Sequence, residues 1–284
     1  MNRRNLMAAE LLDALHVGVL LTDSRGRPMR ANAAAQRLLG CQADASTPPG
    51  PGYRIVDRYP HDTTAYTQGL VYDGGVLYES TGQYGSSELR RVDLTTGAVE
   101  QAVSLPAERF GEGLALLGRE LFQLTWKAGQ AYIYDTAGLH LVDSARYEGE
   151  GWGLTTDGTS LILSDGSAWL RFFDPRTFKE QRSVEVHSAD REPVTGINEL
   201  EYADGDLFAN VYQSDRLLRI DPARGLVTET IDLAGIMPGY DSRSTTEFVL
   251  NGIAYDRASG HLLVTGKRWP LLFRIALDRP IGGR

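Results

Sequence analysis

Glu112 sits between two glycines in the string Phe110-Gly111-Glu112-Gly113-Leu114. Glycine on both sides lets the backbone come close to a ligand, so this carboxylate stands where it can exchange a proton with something bound. The same local pattern returns with other residues in the Glu slot: Gln68 before Gly69-Leu70, Trp152 before Gly153-Leu154, Asn198 before Glu199-Leu200, and Asn251 before Gly252-Ile253. Gathered at one place, an acid, three amides and an indole offer one proton-transfer group, several neutral hydrogen-bonding groups and an apolar wall that raises the acid's pKa. Those are the parts of a small-molecule pocket.

Gathering them is the task of the fold. From Tyr53 onward the chain reads as short alternating strands separated by Gly, Asp and Asn turns, with no long helical period. The apolar residue after each slot recurs at Leu70, Leu114, Leu154, Leu200 and Ile253, steps of roughly 40–50 residues that suit propeller blades. Each slot is followed by a turn, such as Asp73-Gly74-Gly75 or Asp204-Gly205, and a second strand; such pairs accept the positive φ angles of tight hairpins. A third strand ends in Asp93, Asp135, Asp174 and Asp221 in the first four units, and a fourth strand follows each. The fifth unit lacks a fourth strand, and the stretch from Tyr53 to Tyr59 is expected to supply it, which removes exposed sheet edges. The expected fold is all-β: a five-bladed β-propeller over residues 53–284, closed by an N-terminal strand. Its inner strands bring Gln68, Glu112, Trp152, Asn198 and Asn251 to one mouth of the channel. Trp126, Tyr212 and Lys267, at the ends of second strands, reach the same mouth.

Composition narrows the partners. A net charge of −8 argues against nucleic acid or an anionic membrane, both of which need a clustered basic surface; small molecules or peptides remain. One cysteine, Cys41, forms no intramolecular disulfide. The five histidines are scattered, without the spacing that sets two imidazoles on one helix face, so a zinc enzyme is not expected.

Residues 1–52 form a separate N-terminal extension with three readings. Arg3-Arg4, the apolar run Val17–Leu21 and Leu38-Leu39-Gly40-Cys41 resemble an export leader, although Glu10 and Asp13 precede the run and Arg25, Arg27, Arg30 and Arg37 follow it. Leu11 to Gly40 resembles the opening of a PAS sensor domain, too short to be a whole one. A plain amphipathic helix is the third. Residues 46–52, rich in Pro and Gly, read as a linker. No membrane span is expected.

Seven strings in order carry a family resemblance: Tyr66-Thr67-Gln68-Gly69-Leu70, Phe110-Gly111-Glu112-Gly113-Leu114, Glu150-Gly151-Trp152-Gly153-Leu154, Asn198-Glu199-Leu200-Glu201-Tyr202, Ala209-Asn210-Val211-Tyr212-Gln213, Leu250-Asn251-Gly252-Ile253-Ala254 and Val264-Thr265-Gly266-Lys267. From about residue 53 to 277 the chain resembles the plant and bacterial glutaminyl cyclotransferases. The resemblance implies a five-bladed propeller that converts the N-terminal glutamine of peptides or proteins to pyroglutamate with release of ammonia. It implies Glu112 as general base and acid, Gln68, Asn198 and Lys267 as partners of the substrate's polar atoms, and Trp126, Trp152 and Tyr212 as the enclosure of its side chain. It also implies that the chemistry requires no cofactor, that a structural calcium can be present as in plant members, and that the protein is periplasmic or secreted; a monomer is expected. One departure is visible: Tyr212 stands where the family often has Trp.

Two other functions fit the residues alone. A non-catalytic propeller would bind peptides at the same mouth. A metal-dependent propeller hydrolase would use Glu112, Asn198 and Asn251 as oxygen ligands.

Overall fold

The structure is a computed structural model that describes residues 20–22, 28–31, 52–240, 242–243 and 245–283. The chain divides into two compact units, Met1–Gly50 and Pro51–Arg284. In the first, β1 (Leu20–Thr22) pairs antiparallel with β2 (Pro28–Ala31). That pairing replaces a helix over these residues; the leader motifs around Arg3-Arg4 and Leu38–Cys41, the linker at 46–51 and most of the PAS-like stretch lie outside the described residues.

The second unit opens with β3 (Tyr53–Pro60). Four sheets then follow in chain order: β4 (Thr67–Asp73), β5 (Val76–Thr81), β6 (Glu88–Asp93) and β7 (Val99–Ser104); β8 (Gly111–Leu117), β9 (Glu120–Thr125), β10 (Gln130–Asp135) and β11 (Leu141–Arg146); β12 (Leu154–Thr156), β13 (Leu161–Leu163), β14 (Trp169–Phe173) and β15 (Glu180–Glu185); β16 (Ile197–Ala203), β17 (Asp206–Val211), β18 (Arg216–Ile220) and β19 (Val227–Asp232). The fifth is β20 (Leu250–Asp256), β21 (His261–Gly266) and β22 (Leu271–Leu277), with β3 as its outer strand in the register Leu271↔Pro60 to Leu277↔Tyr53. Each inner strand lies against the inner strand of the next sheet, and β20 lies against β4, so the five sheets form a ring. The fold is a five-bladed β-propeller.

The sequence repeats have local causes. Asp93, Asp135, Asp174 and Asp221 each end a third strand because the carboxylate accepts a backbone N–H of the following turn, from Thr96, Gly138, Thr177 and Ala223 at 2.7–2.9 Å. Four residues on, the chain enters the left-handed region at Gly97, Leu139, Phe178 and Gly225, which closes the turn. The apolar core lies between neighbouring blades. Ile162, Leu170 and Phe172 of the third sheet pack with Leu200, Leu207 and Leu218 of the fourth, and Phe208 and Leu217 of the fourth pack with Ile253, Leu262 and Phe273 of the fifth.

Candidate active site

The slot residues sit at breaks in register. The pairing of inner with second strand skips from Thr67 to Gly69, from Gly111 to Leu114, from Ile197 to Leu200 and from Leu250 to Ile253, so Gln68, Glu112, Asn198 and Asn251 occupy bulges that re-aim their side chains. The glycine after a slot is required by the neighbouring blade. A Cβ on Gly113 would meet the amide nitrogen of Leu154 at 2.4 Å, and one on Gly153 would meet the carbonyl oxygen of Asn198 at 2.0 Å. Backbone thus abuts backbone around the channel, and Gly113 N–H donates to Trp152 O at 2.7 Å.

The fourth slot carries Glu199 in place of that glycine. Its buried carboxylate crosses the axis and accepts from Leu70 N–H at 3.2 Å and Ile253 N–H at 2.8 Å. Glu112 is therefore not the only acid on the channel, as the slot pattern suggested. Glu199 is held by backbone of two other blades, and it does not line the cavity that Glu112 faces.

That cavity, of about 310 Å³, is lined by Gln68, Glu112, Trp126, Trp152, Asn198, Tyr212 and Lys267. Seven of the eight residues singled out from the sequence meet there. Asn251 does not. It is fully buried behind Gln68, with Nδ2 donating to Thr67 O and to Gln68 Oε1, both at 3.0 Å. The oxygen trio Glu112, Asn198 and Asn251 is accordingly not gathered at one point. Among the described residues no three His, Cys, Asp or Glu side chains assemble to hold a metal ion.

Among the groups that line the cavity, Glu112 and Lys267 are both shifted toward neutrality. Glu112 is 5% exposed, and burial holds its carboxyl well above the usual carboxylate range; Lys267 opposes this and Glu150 adds to it. Gln68 Nε2 donates to Glu112 Oε1 at 2.9 Å. Lys267 is 3% exposed, and burial brings its amine down to about 8 against the pull of Glu112 and Glu247 toward the cation. Its Nζ lies 4.5 Å from the Tyr66 ring centroid and 5.6 Å from that of Tyr212, ring faces that favour a cation.

The aromatic walls are fixed by hydrogen bonds. Glu150 Oε2 accepts from Trp126 Nε1 at 2.7 Å and from Trp152 Nε1 at 3.1 Å, so one carboxylate orients both indoles. Trp152 meets Tyr212 edge-on at 5.6 Å, and Phe110 meets Trp126 at 5.5 Å.

The glutamine cyclotransferase family model matches residues 29–277. The chain belongs to that family. The match begins inside the segment set apart as an extension. The chain is 44% identical over 228 residues to the glutaminyl-peptide cyclotransferase of Arabidopsis thaliana, covering 79% of this chain and 71% of that protein. It superposes on the crystal structure of Myxococcus xanthus glutaminyl cyclase with a TM-score of 0.74 at 38% identity, over 81% of this chain and 97% of the other.

This family member has cavity residues that the slot pattern did not give: Tyr66, Gln83, Phe110 and Thr246. Tyr66 and Phe110 stand two positions before the slots of Gln68 and Glu112, and Glu150 stands two before Trp152. That column was legible in the repeat. Gln83 and Thr246 come from connections between strands and have no counterpart in it. The ring of Tyr212 meets Trp152 edge-on and lies 5.6 Å from Lys267 Nζ.

Proposed function

We propose that the protein is a glutaminyl-peptide cyclotransferase, acting on peptides and proteins that begin with glutamine. The observation that carries this is a buried carboxyl hydrogen-bonded by an amide and facing an aromatic-walled cavity, with the buried amine of Lys267 on the same cavity. About 310 Å³ is enough for one glutamine folded back on itself, and its lining offers neutral amides to neutral polar groups.

The free α-amine of the substrate attacks the carbonyl carbon of its own side-chain amide. A nitrogen–carbon bond forms, closing a five-membered ring, and the carbonyl π electrons move onto oxygen. Glu112 takes a proton from the attacking nitrogen and gives it to the amide nitrogen. As the carbonyl re-forms, the carbon–nitrogen bond breaks and ammonia leaves, with Glu112 back in its starting state. Gln68 occupies Oε1 and leaves Oε2 to exchange the proton. A raised pKa suits this double task, because the same group must be a competent base and then a competent acid near neutrality. Lys267 and the Asn198 amide are the donors available to the developing oxyanion. Trp126, Trp152 and Tyr212 hold the side chain in its folded form, where proximity supplies much of the acceleration. Acid, base and oxyanion partner are all side chains of one chain, so this chemistry calls on no cofactor and a monomer suffices.

The test is mass spectrometry of a peptide beginning with glutamine, incubated with the protein and in parallel with its Glu112→Gln variant. Loss of ammonia with the wild type alone is expected. No loss with the folded wild type would overturn the proposal.

A further inference from the structure

Gln83 is the most strained non-glycine residue beside the cavity. Its φ is 109°, outside the left-handed region that other side chains reach, and it is held there by its surroundings. Gly82 N–H donates to Tyr66 O at 2.8 Å, and Gln83 O accepts from Ser86 N–H at 3.2 Å and Ser87 Oγ at 2.7 Å. Ser87 Oγ in turn accepts from Gly111 N–H at 2.9 Å, next to Glu112. A Cβ on Gly82 would strike the Phe110 ring at 2.2 Å, so this turn is pressed against the wall of the site. Strain kept in place by that many bonds marks a position with a task.

The next residue, Tyr84, is 56% exposed. Its ring meets Phe110 at 5.4 Å and 72°, and Phe110 lines the cavity and meets Trp126. Among the described residues it is the one strongly exposed aromatic whose ring touches a ring of the cavity wall. A glutamine lodged in the cavity is followed by further residues of its peptide, which must leave through the open side.

Building on the cyclotransferase reading, we infer that Gln83 and Tyr84 form a subsite for the residue after the glutamine: the Gln83 amide bonds the peptide group, and Tyr84 takes the side chain, with preference for aromatic ones. No covalent step is added. The strained turn fixes both groups relative to Glu112.

The experiment is ammonia release, read as kcat and KM separately, on glutaminamide, Gln-Gly amide and Gln-Phe amide. For the wild type, kcat/KM for Gln-Phe should exceed that for Gln-Gly by roughly fivefold, the scale of one aromatic pair. Tyr84→Ala should bring the ratio to about one through KM, and Tyr84→Phe should restore it. Gln83→Gly, which relieves the strain while deleting the amide, should raise KM by a factor of about five for all three substrates, since glutaminamide carries the same amide group, and should leave the Gln-Phe to Gln-Gly ratio in place; an unchanged KM for all three takes Gln83 out of the subsite. A ratio unchanged in Tyr84→Ala, with all three substrates turned over, overturns the subsite alone. No ammonia from any substrate with folded wild type overturns the cyclotransferase reading and the subsite with it.

Discussion

Gln68 donates to Glu112 Oε1 at 2.9 Å while its own carbonyl accepts from Asn251 Nδ2 at 3.0 Å. Asn251 therefore fixes which end of the Gln68 amide faces the acid. An amide that turns over presents oxygen to the carboxylate and loses the bond. Asn251→Ala should lower kcat by roughly tenfold, the scale of one hydrogen bond to a charged group. Losing the donor also disfavours the carboxylate, so the acid limb of the kcat–pH profile moves to higher pH. Adding Gln68→Ala should cost little more, since the two act as one unit; full additivity in the double mutant would refute the relay.

Glu112→Gln removes the proton shuttle and keeps the shape. A fall in kcat of roughly 10²–10⁴-fold is expected. The thermal midpoint should hold or rise, because a buried ionisable group of raised pKa gives way to a neutral isostere. Calorimetry beside the ammonia assay checks both, and unfolding would show that Glu112 is there for the fold.

Lys267 titrates at about 8. Its cation is present below that pH and lost above it. If it steadies the oxyanion, kcat declines as pH rises through about 8, and Lys267→Arg, which keeps its charge, removes that alkaline limb. A pH–rate profile with the same alkaline limb in both proteins would take Lys267 out of the role.

The buried pair His61 and Glu79 makes stability depend on pH. His61 Nε2 lies 3.0 Å from Glu79 Oε1, its Nδ1 lies 2.7 Å from Trp269 O, and only the imidazolium can donate to both. Burial alone would depress the His61 pKa, but Glu79 lifts it above the ordinary value; burial alone would raise Glu79, but His61 pulls it below. The His61 contribution is complete below the unfolded histidine pKa and is lost as pH rises through the raised folded value. The Glu79 contribution is complete above the unfolded glutamate pKa and is lost as pH falls through the lowered one. The thermal midpoint should thus peak between the two ordinary values, and His61→Ala should cost about 3 kcal/mol at pH 6 while flattening the alkaline side. A midpoint in His61→Ala that still falls in the same way above neutrality would assign that limb elsewhere.

Gly153→Ala places a methyl group where the Asn198 carbonyl oxygen lies at 2.0 Å. Neither backbone can give way without parting two blades. A loss of about 3 kcal/mol is expected, read as a lowered urea midpoint at unchanged slope.

The five blades were legible because the slot recurs in all five units, its glycine in four and the turn Asp in four, each with a local cause. The site was legible for the same reason, and Gln68, Glu112, Trp152 and Asn198 share a repeat column. Asn251 shares that column yet turns under Gln68, since Gly252, at a φ of 129°, and the Thr67 carbonyl draw its amide inward. Glu199 had no role in the repeat; the missing glycine in the fourth slot was its signal. Gln83 and Thr246 lie on connections, where periodicity carries no information and only the folded chain shows what they face.

The pairing of β3 with β22 also sets an order of events during synthesis. The strand that completes the fifth sheet is made before any of the five inner strands, and its partner, Leu271–Leu277, is made after all of them. Tyr53–Pro60 must therefore wait, unpaired, while the rest of the ring emerges. Four blades can form one by one behind the ribosome, but the site has all its walls only when the last blade has arrived to receive the first strand. A chain halted before Leu271 would be left with two open edges and no cyclase.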